Sequence, residues 1–129
     1  MSDPLVLIVD DNEMNVKLAR DVLRYAGFRT LEAGTGGEGV ALAAEHLPDV
    51  ILMDIRLPDM DGTDAVRQLR AERRTAGIPV VALTSFAMKG DRERFLAEGF
   101  DGYLEKPISV REFPDQVRSY RRTDEEETP

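Results

Sequence analysis

The sequence contains no cysteine, no tryptophan and a single histidine, His46. Without cysteine there is no disulfide framework, no thiolate zinc site and no cysteine nucleophile, and the chain suits a reducing compartment. His46 falls before Leu47-Pro48, at the end of a helical stretch and far in sequence from the residues singled out below, so it reads as a surface or helix-terminal residue and not as a phosphodonor. No apolar run approaches the roughly 20 residues of a membrane span. The N-terminus Met1-Ser2-Asp3-Pro4 also lacks the basic-then-apolar order of a secretory signal. Basic residues are in deficit, 17 Lys plus Arg against 25 Asp plus Glu, for a net charge of −8. Nucleic-acid binding rests first on Lys and Arg neutralising phosphates, so no nucleic-acid partner is expected. These exclusions leave a cytoplasmic protein with no membrane partner. At 129 residues and 42% hydrophobic composition the chain fits one compact domain, expected over residues 1–122, with an acidic, disordered tail over 123–129 that holds the run Asp124 to Glu127.

What is present is a rhythm. Five short apolar runs, Leu5 to Val9, Thr30 to Ala33, Val50 to Met53, Val80 to Leu83 and Gly102 to Leu104, are each followed by a stretch of helical spacing. The first, third and fourth are nearly continuous, as strands covered on both faces of a parallel sheet should be, and the shorter second and fifth suit edges. Val16, Ala19, Leu23 and Ala26 mark a helix that ends at Gly27, and Val40, Ala43, Ala44 and Leu47 a second, closed by Pro48. Ala65, Val66 and Leu69 mark a third that closes near Gly77-Ile78-Pro79, and a fourth runs from about Arg92 to Glu98. Ser109 with Glu112 reads as a capping box that opens a fifth helix to about Arg121, although Pro114 inside it removes a backbone donor, so that the helix must start late or bend. The cluster Gly36-Gly37-Glu38-Gly39 lacks the Lys-Ser/Thr ending of a phosphate-binding loop and is expected to set a flexible helix start. Strand and helix alternating five times with short links predict a doubly wound α/β domain with helices on both faces of one parallel sheet.

In such a sheet, ligands bind beyond the carboxyl ends of the strands. Those ends carry Asp10-Asp11, Asp54, Thr84-Ser85 and Lys106-Pro107. Singly, each has an ordinary explanation, Asp as a turn residue or helix cap, Thr as a cap and Lys as a solvated charge. Their joint placement at carboxyl ends argues for a site. Three carboxylates in one crevice need raised pKa values or a cation, and an all-oxygen set without His or Cys selects Mg²⁺. Lys106 as a point charge and Thr84 as a donor then suit the remaining oxygens of a phosphoryl group, which describes phosphoryl transfer to a carboxylate.

These same residues carry a resemblance. Val9-Asp10-Asp11, Leu52-Met53-Asp54, Leu57-Pro58-Asp59-Met60-Asp61-Gly62, Ala82-Leu83-Thr84-Ser85 and Tyr103-Leu104-Glu105-Lys106-Pro107 resemble, in order and spacing, the CheY-like receiver domain of two-component response regulators. Asn12 to Asn15, Phe86 to Asp91 and Lys106 to Val110 are most similar to DivK-type single-domain regulators and to hybrid-kinase receivers. The resemblance implies a flavodoxin-like strand order 2-1-3-4-5 and a signalling domain, not an enzyme. It implies that Asp54 accepts a phosphoryl group from a phosphohistidine on a histidine kinase or phosphotransfer protein. Asp11, Asp54 and the Arg56 backbone carbonyl are then Mg²⁺ ligands, with Asp10 acting through metal-bound water. Lys106 and Thr84 hold the phosphoryl oxygens, and Thr84 moves so that Tyr103 rotates inward, although Tyr103 on its own would read as an aromatic covering the core. Output passes to a downstream protein through helix four, strand five and helix five; the sequence leaves open whether the monomer dimerises on phosphorylation. Arg56 and Phe86 are implied tuners of phosphoryl lifetime, and Phe86 as a water shield gives slow self-hydrolysis. Two alternatives stand beside a stand-alone switch. One is a receiver cut from a hybrid kinase or larger regulator, against which stand Met1 and a tail with no linker beyond it. The other is a Mg²⁺-dependent phosphohydrolase with Asp54 as nucleophile, against which stands Arg56, where a second acid is usual in such enzymes.

Overall fold

The computed structural model describes residues 3–85 and 88–121. Phe86, expected to tune phosphoryl lifetime, and the expected tail 123–129 lie outside the described residues. The elements follow in strict alternation: β1 (Leu5–Val9), α1 (Glu13–Tyr25), β2 (Arg29–Ala33), α2 (Gly36–His46), β3 (Val50–Asp54), α3 (Gly62–Ala71), β4 (Val80–Thr84), α4 (Asp91–Ala97), β5 (Gly102–Glu105) and α5 (Phe113–Tyr120). All strand pairs are parallel and the order is β2-β1-β3-β4-β5, so the two shorter, more polar runs are the edges.

Successive strand residues point to opposite faces, which splits the continuous apolar runs into two cores. Leu7, Val9, Ile51, Met53, Val80 and Ala82 pack with Ala43 of α2, Ala65, Val66 and Leu69 of α3, and Phe95 of α4. Val6, Ile8, Val50, Leu52, Val81 and Leu83 pack with Val16, Ala19 and Leu23 of α1 and with Phe113 and Val117 of α5. Each fully buried aliphatic side chain of this kind contributes roughly 1.5–3 kcal/mol. Among the described residues no helix is long and apolar enough to cross a membrane.

Several boundaries differ from those the sequence suggests. β3, β4 and β5 each run one residue further, so Asp54 and Thr84 are the last rungs of the sheet and not residues beyond it. α3 ends at Ala71 instead of near Gly77, because the Thr75 hydroxyl turns the chain back and donates to the Leu69 carbonyl at 2.6 Å. α5 opens at Phe113 instead of Ser109. Pro114 occupies the first turn, where the missing donor costs nothing, and so sets the start. Ser109 caps a preceding turn, its hydroxyl accepting from Glu112 N at 3.3 Å and its carbonyl from Phe113 N at 2.8 Å.

The glycine cluster is a tight contact and not a flexible start. A Cβ on Gly39 would meet Val9 Cγ2 at 2.8 Å, and one on Gly36 would meet Met60 Cγ at 2.5 Å. The start of α2 is held from another loop, with both Asp59 carboxylate oxygens accepting, one from Gly36 N at 2.8 Å and one from Gly37 N at 2.9 Å. Thr35 adds an ordinary cap to Glu38 N.

One guanidinium fastens the amino ends of β4 and β5. Arg70 donates to the carbonyls of Ala76, Ile78 and Gly99 and, at 2.8 Å, to Asp101, whose same oxygen accepts from Val80 N.

Candidate functional site

The parallel register delivers the expected polar residues to one end of the sheet. Asp54 closes β3, Thr84 closes β4, Asp10 follows β1, and Lys106 follows β5 with its amide donating to the Thr84 carbonyl at 2.7 Å. A Cβ on Gly62 would run into the Asp54 carbonyl, so the loop after β3 folds back on the strand only because residue 62 is glycine. Gly62 N closes that loop onto the Ile55 carbonyl, and Arg56 forms an antiparallel bridge to Asp61.

Asp10, Asp11 and Asp54 each offer a carboxylate oxygen, and the three lie within 4.8 Å of one another. Asp10 and Asp54 are buried and Asp11 is exposed. Lys106 Nζ sits 3.3 Å from Asp54 Oδ2 and 3.7 Å from Asp10 Oδ2. One ammonium thus faces two buried carboxylates, with a third acid beside them. The electrostatic consequence is visible at Asp54, whose pKa is raised by burial first and by the Asp10 charge second, against the pull of Lys106 and of the Arg56 amide at 3.3 Å. Uncompensated negative charge, an all-oxygen donor set and one solvent-facing acid fit a small divalent cation that keeps part of its water shell, as Mg²⁺ does.

The cleft above these groups has a volume of about 620 Å³ and is lined by Asp11, Asn12, Asn15, Asp54, Arg56, Thr84, Ser85, Arg94, Phe95 and Lys106 among others. It brings together the expected Asp11, Asp54, Arg56, Thr84 and Lys106, with Asp10 directly beneath. Tyr103 is not in this lining. It is half-buried on β5 against α4, with its ring 5.7 Å from that of Phe95. His46 ends α2 and is exposed, as the sequence suggested.

Two features were not read from the sequence. Asp10 is oriented from the start of α1, accepting from Asn12 N at 2.9 Å and from the Asn15 side chain at 3.4 Å. The spacing of Asn12 and Asn15 after the acid pair was the available signal. Arg94 comes from the middle of α4, away from any strand end, and no strand-end argument would find it.

Residues 6–118 match the response regulator receiver domain family. The chain is 46% identical over 115 residues to the polar-differentiation response regulators DivK of Brucella ovis and Brucella abortus, covering 89% of this chain and 94% of theirs. It is similar in structure to the receiver domain of a sensor histidine kinase from Pseudomonas aeruginosa PAO1, which carries a magnesium ion coordinated in its active site cleft. That match has a TM-score of 0.83 and 35% identity, and covers 92% of this chain and 98% of that one. Chemotaxis protein CheY4 of Vibrio cholerae matches with a TM-score of 0.86 at 26% identity over 92% of this chain and 99% of that one.

Proposed function

This chain belongs to the response regulator receiver domain family, and from that premise we propose that it is a phosphorylatable switch whose acceptor is Asp54. The observation that carries this reading is the carboxylate triad at the strand ends with Lys106 Nζ 3.3 Å from Asp54. The donor is a phosphohistidine on a histidine kinase or phosphotransfer protein. An Asp54 carboxylate oxygen attacks phosphorus, the new O–P bond forms as the P–N bond breaks, and the imidazole nitrogen leaves with the electron pair and takes up a proton. Asp54 acts ionised, so its raised pKa is a handicap that the neighbouring cations correct.

Asp11, Asp54 and the Arg56 carbonyl would hold Mg²⁺, with Asp10 acting through its water. Bound there, the ion would supply neutralising charge for the carboxylates and the incoming phosphoryl group. Lys106 binds another phosphoryl oxygen and Thr84 donates to a third. Thr84 then moves toward the acyl phosphate and Tyr103 rotates inward, changing the surface of α4, β5 and α5 for a downstream protein. Arg56 and Phe86 set how long the acyl phosphate lasts, and Phe86 makes its loss slow. Loss of label within seconds from purified protein with Mg²⁺ would contradict that last point. The 46% identity over 115 residues supports a DivK-like regulator. The cytoplasm, where a kinase meets ATP, is the compartment this role requires.

Intact mass after incubation with acetyl phosphate and Mg²⁺ tests the proposal. We expect one phosphoryl adduct in the native chain and none with a chelator or in Asp54→Asn. An adduct that persists in Asp54→Asn, or none in the folded native chain, overturns it. Steady multiple turnover of a phosphate ester would favour the phosphohydrolase instead.

A further inference from the structure

We propose that Arg94 is a phosphoryl-contacting residue held in reserve: it is paired with Asp91 in the unphosphorylated chain and turns its guanidinium to the phosphoryl oxygens once Asp54 is modified. This rests on the phosphoacceptor reading above. Arg94 lines the same cleft as Asp54, Thr84 and Lys106. Its guanidinium is half-exposed and movable, 3.1 Å from Asp91 Oδ1 and stacked 4.9 Å from the Phe95 ring. Asp91 is the opposite, a buried carboxylate whose other oxygen accepts from Met88 N at 2.6 Å. It stays fixed when Arg94 leaves.

The balance between the two positions is set by charge. Without the phosphoryl group, the cleft acids already have Lys106 beside them, and Arg94 is ion-paired with Asp91. A phosphoryl group adds close to two negative charges and three acceptor oxygens to the cleft. A planar guanidinium meets such oxygens with two donors at once, which a helix-surface pair at i,i+3 does not match. The move also uncovers Phe95, whose ring packs on Tyr103, so Arg94 couples occupancy of the cleft to the aromatic that covers β5.

The test is titration with beryllofluoride and Mg²⁺, which mimics an acyl phosphate on a carboxylate, with thermal melts confirming folding of every variant. Arg94→Gln should weaken apparent beryllofluoride affinity about tenfold, as expected for one lost charge-assisted contact, and Arg94→Lys should recover part of it. Asp91→Asn, which keeps an acceptor for Met88 N but frees Arg94, should tighten binding two- to threefold. Opposite signs are the signature, because a merely structural pair would weaken binding in both. Unchanged affinity in Arg94→Gln, or weakening in Asp91→Asn, overturns the proposal. If the native chain binds no beryllofluoride, the phosphoacceptor reading itself has failed.

Discussion

Asp54 is destabilised as an ion by burial and by Asp10, and that has a thermodynamic sign. Its folded pKa lies above the unfolded value near 3.9, so the folded chain binds that proton more tightly. The stability Asp54 contributes therefore falls as pH rises from about 4 through the folded pKa. In chelator at pH 7, Asp54→Asn should raise Tm by a few degrees, on the order of 1 kcal/mol, and the gain should shrink as pH is lowered towards 4. A gain that is constant with pH would locate the effect elsewhere. Mg²⁺ should erase the difference by stabilising the native chain by RT ln(1 + [Mg²⁺]/Kd). Asp11 separates binding from folding, because it is exposed and makes no core contact. Asp11→Asn should melt within about 0.5 kcal/mol of native in chelator, yet lose most of its Mg²⁺-induced rise in Tm.

Among the elements, β1, β3 and β4 were legible because strands buried on both faces read as unbroken apolar runs, and the edges because they did not. Helix ends were less legible. Pro114 and Ser109 offered two competing starts for α5, and the end of α3 depends on Thr75 reaching back to Leu69, a contact with no periodic signature. The start of α2 was misread for a related reason. Glycine there looks like freedom, but its cause lies in Val9 and Met60, residues distant in sequence. Gly39→Ala should therefore destabilise by about 1–3 kcal/mol through overpacking, although alanine is the better helix former by up to about 1 kcal/mol; a stabilised variant would show that β1 and α2 separate easily. The Asp59 cap gives a second test. Its pKa is lowered by the Gly37 and Gly36 amides, so its contribution is present above the unfolded value and lost as pH falls through the folded one. Asp59→Ala should lower Tm at pH 7, and the gap to native should close below about pH 4.

At the scale of the whole molecule, the central strands β1, β3 and β4 each feed both cores, so the two layers stand or fall together. Leu52 and Met53 are adjacent and point to opposite sides. Each change to alanine should cost about 2–5 kcal/mol, and each should lower hydrogen-exchange protection in both helical layers. Loss confined to one layer would show that the sheet does not transmit stability. The site was legible at this scale because a parallel sheet sends every carboxyl end one way, so a list of residues after apolar runs becomes a cluster. Arg94 was not legible, since its place in the cleft depends on how α4 lies across the sheet. The same geometry puts the Arg70 clamp at the far end of β4 and β5 from Thr84 and Lys106. The two strands are thus tied by side-chain hydrogen bonds at one end, and at the other by the ladder alone, which closes with Lys106 N on the Thr84 carbonyl. Any opening between them is resisted most beside Arg70 and least four rungs away at Thr84 and Glu105. A slight turn at the quiet end becomes the widest excursion beside Asp54.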